Sequence, residues 1–572
     1  MAVWPGGFET ERWRRRLRVA LGQEPADLVL ANGDVVDVFS EERFRADVAI
    51  SDGVIAGVGR YPTAKQRLDC AGMVVAPSFV DAHVHTESSL LWISEFARAV
   101  VPHGTGAVVT DPHEVANVAG LPGLEAMRRA AAGLPLVVRF TVPSCVPASP
   151  FESPGAVFGP AEIGAALAWP ESRGLGELMN FPGVLAGDAT IGAELAASGG
   201  QPIDGHAPGL TESALQAYVA SGPVSDHESV ALDEAREKLR AGLMVMIREG
   251  SSAKNLAALL PLVTDRTAAR VCFCSDDRDA HLLLHDGHVD AILRQAVAAG
   301  LDPLRAIRLG TWNPARHWNL EGIGAVAPGY HANLVVLRDL PRMEVALTLF
   351  GGGVVARDGR MEAMIPPLAA IPPPLLNTVR LAPLDMRDLR LPIEAARRAV
   401  VVIPGEIATG LEAVEPEVRD GAAVAAPERD LLKLVCVERH HATGRVGAGY
   451  VRGFGLRRGA LASSIAHDAH NIVAVGADDA DLLVAIATVA ESQGGLAVVA
   501  ASEVLAHLPL PIGGLLSDRP LAETAAAYNR LEEAARALGS TLPSPFGLLA
   551  FMALSVIPRA RVTDQGFVTV GG

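Results

Sequence analysis

Between residues 74 and 274 the chain repeats one rhythm: a short apolar run, a polar run-end, then a helical stretch. The runs are Val74–Val80, Ala107–Thr110, Leu136–Val142, Gly176–Met179, Pro202–Asp204, Pro223–Ser225, Met244–Ile247 and Val271–Cys274. Helical patterns such as Leu232–Ala241 and Ala291–Ala299 lie between them. Strands that alternate with helices pair in parallel, and eight of them predict an α/β fold built on a TIM-like (β/α)8 barrel. In such a barrel the functional groups stand at the C-terminal strand ends, which is where this chain places its histidines and carboxylates.

The first run leads into Asp81-Ala82-His83-Val84-His85. Side chains one residue apart on a strand share a face, so His83 and His85 converge. Two such imidazoles make half of a site for zinc, iron or manganese. The later ends carry Asp111-Pro112-His113-Glu114, Glu177, His206, Asp226-His227-Glu228, Arg248-Glu249-Gly250-Ser251 and Ser275-Asp276-Asp277. Four histidines and an aspartate falling in order on barrel strand ends point to a metal centre. The segment His113-Glu114-Val115-Ala116-Asn117 is not a zincin helix, because Asn117 stands where the second histidine must be.

The flanks are written differently. Residues 1–25 read as a lead-in helix, whose Arg12–Arg18 stretch is expected to be a solvated face. Residues 26–75 and 322–365 are β-rich with Gly turns and predict one small β-sandwich assembled from both sides of the barrel, residues 76–321. Asn32-Gly33 and Asp52-Gly53 are read as hairpin turns. After a Pro-rich joint, residues 376–572 are expected to form a C-terminal α/β domain. A net charge of -16 argues against a nucleic-acid binder. No segment reads as a leader or a membrane span, and five scattered cysteines suit a reducing compartment, so the cytoplasm is expected. Cys272 and Cys274 are read as core packing.

The motifs Asp81-Ala82-His83-Val84-His85-Thr86-Glu87-Ser88-Ser89, Asp111-Pro112-His113-Glu114-Val115-Ala116-Asn117 and Glu177-Leu178-Met179-Asn180-Phe181-Pro182-Gly183-Val184 resemble the amidohydrolase superfamily, specifically its bacterial-type adenine deaminases. Asp204-Gly205-His206-Ala207-Pro208, Met246-Ile247-Arg248-Glu249-Gly250-Ser251, Cys274-Ser275-Asp276-Asp277-Arg278 and the stretch Arg458 to Asn471 extend the likeness over about residues 25–565. Ser78 departs from it, standing where the superfamily usually has Gly.

The resemblance implies two divalent metal ions, manganese or iron before zinc. His83, His85 and Asp276 would hold one, and His206 and His227 the other. Many superfamily members bridge their metals with a carboxylated lysine on strand four. No lysine occurs between Lys65 and Lys238, so Glu177 takes the bridging role. A water shared by two cations ionises near neutrality. In the family mechanism it attacks C6 of adenine, Asp276 carries its proton to the departing ammonia, and hypoxanthine is formed, a purine-salvage reaction.

His227 is counted with Asp276 and Glu249 among the catalytic candidates, Glu249 as a contact to a purine nitrogen. His113, Glu114, Asp277, Arg248 and Ser251 are expected to orient ligands or substrate. His467, Asp468, His470 and Asn471 form a polar cluster that either reaches over a barrel mouth or stabilises the C-terminal domain. A homodimer or larger assembly is implied by likeness alone, with no nucleic-acid or membrane partner. The alternative is another amidohydrolase acting on a related purine or cyclic amide. A non-catalytic scaffold would show a broken ligand position, and none is broken.

Overall fold

The computed structural model describes residues 9–251, 253–403, 408–557 and 559–570. Residues 1–8 of the expected lead-in helix lie outside them, and the helix runs Thr10–Ala20.

The eight barrel strands are β1 (Phe79–Val84), β2 (Thr105–Thr110), β3 (Val137–Val142), β4 (Ser172–Leu178), β5 (Ile203–Gly205), β6 (Ser225–Asp226), β7 (Met244–Arg248) and β8 (Val271–Cys274). Parallel pairing runs from β1 to β5 and from β6 to β8. Single parallel bridges, Ile203 to Pro223 and Val84 to Asp276, join the two arcs into a ring. Val80, Ala82, Ala107, Val109, Met244, Met246, Cys272 and Cys274 share one interior cluster, while Val245, Ile247, Val271 and Phe273 pack outward among the helices. That alternation is the period of two expected of a strand with an inner and an outer face. Trp318 seals the interior, donating its indole N–H to Ala82 O at 2.7 Å.

Two readings change. The run Val74–Val80 is divided at Ser78: Val74–Pro77 pairs with Leu334–Leu337 in the β-unit, and the barrel strand starts at Phe79. Ser78 N–H donates to Asn333 O at 3.0 Å, which holds the chain across the division. Asn32-Gly33 is a bulge and not a hairpin. Asn32 takes φ 60° inside the continuous strand Ala26–Asp37, whose register against Glu42–Ser51 shifts there. The bulge lets the first half of the strand pair with Ala64–Asp69 and the second half with Val74 and Val75. Asp52-Gly53 is the hairpin turn expected, with both residues at positive φ.

Strands from both flanks of the barrel form one nine-stranded sheet. It folds over a shared core that includes Leu28, Val48, Ile55, Val75, Leu334, Val336 and Leu349. The Arg-rich helix is not purely a solvated face: Arg16 is buried, and Arg15 pairs with Glu24, Asp27 and Asp52 at 3.0, 2.5 and 2.7 Å.

The C-terminal part is an eight-stranded sheet flanked by helices Asp479–Glu491 and Leu521–Ala537. It shares a continuous apolar core with the barrel: Leu91, Trp92 and Phe96 pack in the same cluster as Leu461, Leu496, Leu515 and Phe546. Burial of this extent, at about 25 cal/mol per Å² of apolar surface, fixes the domain over the barrel face. Two of its segments reach the barrel mouth: the loop between Ala460–Ser463 and Ile472–Gly476, and residues 551–557. Among the described residues no helix is long and apolar enough to cross a membrane.

Candidate metal centre

The strand ends are bent to aim their ligands. Asp81 and Val84 of β1 face Val108 and Thr110 of β2, so three residue steps oppose two. This bulge shifts the inward positions from Val80 and Ala82 to His83 and His85. The β4–β5 pairing contains a similar shift around Glu177. Asp276 has φ 56°, donates its N–H to His83 O at 3.0 Å and accepts from His85 N–H at 2.9 Å. The ligand strands β1 and β8 are thus stitched together through the ligand residues themselves.

All six expected metal-binding residues are buried and adjacent. Glu177 Oε1 lies 2.9 Å from His83 Nε2, 2.8 Å from His85 Nε2 and 3.6 Å from His227 Nε2. Its Oε2 lies 2.8 Å from His206 Nδ1. Asp276 Oδ1 completes the first set at 3.2 Å from His85 Nε2 and 3.6 Å from His83 Nε2. Two overlapping groups result, His83–His85–Glu177–Asp276 and Glu177–His206–His227, each with one ligand atom per residue inside a 4.8 Å span.

The donor chemistry fits cations. His83 Nδ1 is 2.8 Å from Asp204 Oδ2, and His85 Nδ1 is 2.8 Å from Asp111 O. Both outer nitrogens therefore carry the proton in the neutral ring, and both Nε2 atoms present lone pairs to each other at 3.2 Å. Glu177 Oε1 and both ring nitrogens of His206 and His227 have no hydrogen-bond partner among the described residues. Buried polar atoms this crowded and unbonded are costly unless positive charge stands between them.

The pKa directions report a pocket that favours positive charge. Burial works against the His83 and His85 imidazolium forms, yet Asp204 and Glu177 at His83, and Glu177 and Asp276 at His85, overrule it and hold both well above the usual range. Burial likewise opposes ionisation of Glu177 and Asp276, but imidazoles around Glu177, and Arg248 with His85 around Asp276, hold both well below it. His227 is lowered by burial and by the His83 ring stacked on it at 4.1 Å.

Of the other expected residues, Arg248 lies inside the site: Nη1 donates to Asp276 Oδ2 at 2.8 Å, and Nη1 and Nη2 both bind Glu228. Asp277 accepts from Ser88 Oγ at 2.5 Å, and burial with Asp276 beside it pushes its pKa up to about 6. His113 packs its ring 4.6 Å from that of His85 and lines the cavity in front of the metal ligands. Glu114 is buried behind it, 3.5 Å from His467 Nδ1, and Ser251 lines a neighbouring cavity. Glu249 is buried beside Arg248, and its Oε2 accepts from Leu256 N–H at 3.1 Å, tying it to a helix start; Arg248 and Ala253 line the cavity.

Three contributors were not singled out from sequence. Asp204 orients His83, Glu228 binds Arg248 and lies with its Oε1 3.7 Å from His206 Nδ1, and Phe551, Leu554 and Ile557 roof the cavity. Asp204 and Glu228 each sit beside a ligand histidine in Asp-Gly-His and His-Glu, which is the signal available for them. The apolar roof lies hundreds of residues away and carries no such signal.

Comparison with known proteins decides the family. The amidohydrolase family model matches residues 74–355, and the adenine deaminase C-terminal domain model matches residues 406–571. The adenine deaminase of Dehalococcoides mccartyi strain CBDB1 is 46% identical over 555 residues, covering 97% of each chain. The chain belongs to the adenine deaminase family. Adenine deaminases of Methanothrix thermoacetophila (43% identical over 557 residues, 97% of each chain) and Halalkalibacterium halodurans (41% over 569, 98% of this chain and 97% of that protein) extend the match. Among solved structures, a dihydropyrimidinase from Brevibacillus agri superposes with TM-score 0.45 at 13% identity, covering 58% of this chain and 96% of its own. The adenine deaminase relatives, by contrast, align from end to end.

Proposed function

We propose that this chain hydrolyses adenine to hypoxanthine and ammonia in purine salvage. The observation that carries the reading is the convergence of four imidazoles on the two oxygens of Glu177, with Asp276 on the same face, in a chain that aligns throughout with adenine deaminases. His83, His85 and Asp276 would hold one divalent cation, His206 and His227 a second, with Glu177 shared between them. Nitrogen and carboxylate ligands without thiolate suit manganese, iron or zinc, and likeness to the family puts manganese or iron first. Such a pair of cations supplies water that ionises near neutral pH.

The chain's own groups do the rest. Arg248 keeps Asp276 Oδ2 occupied and ionised, leaving Oδ1 facing the ligand set as the proton carrier. Oδ1 takes the proton of the attacking water and delivers it to the amine leaving C6, so one water is consumed and one ammonia released. Glu228 fixes Arg248 from the opposite side. The roof of Phe551, Leu554 and Ile557 excludes bulk water and offers an apolar face to a planar ring. Glu249, next to Arg248, is the group assigned to meet a purine nitrogen.

Residues 26–75 with 322–365, 76–321 and 376–572 serve as the three working units of this enzyme. The five cysteines are unpaired and buried, which supports a reducing, cytoplasmic setting. A homodimer or larger assembly completes the proposal, on likeness alone. The decisive experiment incubates metal-loaded protein with adenine and measures hypoxanthine and ammonia in equal amounts. Asp276→Asn is expected to lose at least about 100-fold in kcat, in line with the usual contribution of a positioned acid–base group. Full activity in that variant, or no release of ammonia by the wild type, refutes the reading.

A further inference from the structure

The cavity in front of the metal ligands is built by two domains. The barrel contributes the ligands, Glu228 and Arg248. The C-terminal domain contributes Asp468, His467 and the apolar roof. His467 stacks on Phe551 at 4.6 Å and 21°, forming part of the wall between this cavity and a second one.

Asp468 is the unexplained member. It is 2% exposed, and its Oδ2 has no hydrogen-bond partner among the described residues. Its nearest nitrogens, His113 Nε2 at 3.7 Å and His467 Nδ1 at 3.8 Å from Oδ1, are beyond hydrogen-bond reach. A buried carboxylate oxygen without a donor is costly to keep, and a donor that arrives from outside would satisfy it. The Oδ1 contact places Asp468 one imidazole width beyond the ligand His85, with His113 between them. A purine whose C6 lies over the ligand set presents its five-membered ring away from it, and that ring carries an N–H.

Resting on the adenine reading, we propose that the C-terminal domain reads the purine: Asp468 accepts the N–H of the five-membered ring, and Phe551 packs against the ring face. Carboxylate recognition of an N–H is specific, because an analogue lacking it leaves the buried oxygen unpaired. Aromatic packing contributes affinity without choosing among purines.

The test is equilibrium binding of hypoxanthine, 7-methylhypoxanthine and 9-methylhypoxanthine to the metal-loaded enzyme by calorimetry, with metal content measured on the same samples. Wild type is expected to bind hypoxanthine at least about 10-fold more tightly than the methyl analogue that blocks the recognised N–H. Asp468→Ala loses that discrimination at unchanged metal content, and the isosteric Asp468→Asn loses part of it. Phe551→Ala weakens all three purines by a similar factor. Undiminished discrimination in Asp468→Ala overturns the inference alone. Loss of one metal equivalent in Asp468→Ala also overturns it and makes His113, His467 and Asp468 a cation site. A wild type that binds none of the purines overturns the deaminase reading together with the inference.

Discussion

Replacing Lys238 by methionine should loosen one half of the metal centre from behind. Lys238 lies on the Leu232–Arg240 helix with a fully buried side chain, and its Nζ donates to Asp226 Oδ2 at 2.9 Å, Glu234 Oε1 at 2.8 Å and Ala207 O at 2.7 Å. Asp226 immediately precedes His227, and Ala207 immediately follows His206. Asp226 Oδ1 also accepts from Ala207 N–H at 3.1 Å, so both histidines of the second cation set hang from one ammonium. Methionine keeps the length and apolar stem but removes the charge, leaving two buried carboxylates without their cation. Breaking a buried pair in this way costs about 3–5 kcal/mol. The same helix supplies a control: Arg236 and Asp233 pair at 3.1 Å with side chains 47% and 95% exposed. Removing that pair is expected to cost no more than about 0.5 kcal/mol. The assay is urea unfolding followed by Trp318, buried in the barrel, beside metal analysis of the folded protein. Lys238→Met should lower the midpoint well beyond Arg236→Ala and bring metal content from about two towards one per chain. Equal midpoints, or a full metal complement in Lys238→Met, would refute the reasoning.

Asp204→Asn should lower metal affinity by about 10- to 100-fold, because the carboxylate that fixes the His83 tautomer is lost while shape is kept; competition with a chelator measures it. Acidification should undock the Thr10–Ala20 helix. The Arg15 hydrogen bond pulls the Asp27 pKa below its ordinary value, so this stabilisation is complete above about pH 4 and fades as pH falls towards the folded pKa. The exchange protection of that helix, corrected for the intrinsic pH dependence of amide exchange, should fall on going from about pH 5 to about pH 3. Asp27→Asn should cost about 0.5–1 kcal/mol at neutral pH, discounted because Asp27 is one-third exposed, and should abolish the pH effect.

The barrel and the gathering of its candidate metal-site residues were legible because both rest on short-range rules. Period two in the apolar runs marks the strands, and His83, His85, His206, His227 and Asp276 sit at or just past strand ends, where a parallel barrel gathers polar groups. What was hidden depends on geometry that residue order does not encode. Asn32-Gly33 has the composition of a hairpin, and only competition between Ala64–Asp69 and Val74–Pro77 for the same strand edge makes it a bulge. Ser78 divides an apolar run that looks continuous, because the partner that captures its first half, Leu334–Leu337, lies past the end of the barrel. Asp204 and Glu228 were visible beside their histidines, but their roles follow from which atom faces which. Asp468 and Phe551 reach the pocket through packing between domains, and no local pattern announces that.

The hydrogen bonds joining Asp276 to His83 and His85 close the ring of strands and also set the cation ligands. Mouth and seam are therefore one mechanical object. In the proposed centre, loss of a cation would be felt along the seam between the first and last staves, which Ser275 also ties through Asp81. The C-terminal domain, which shares its apolar core with the barrel, closes over that same rim.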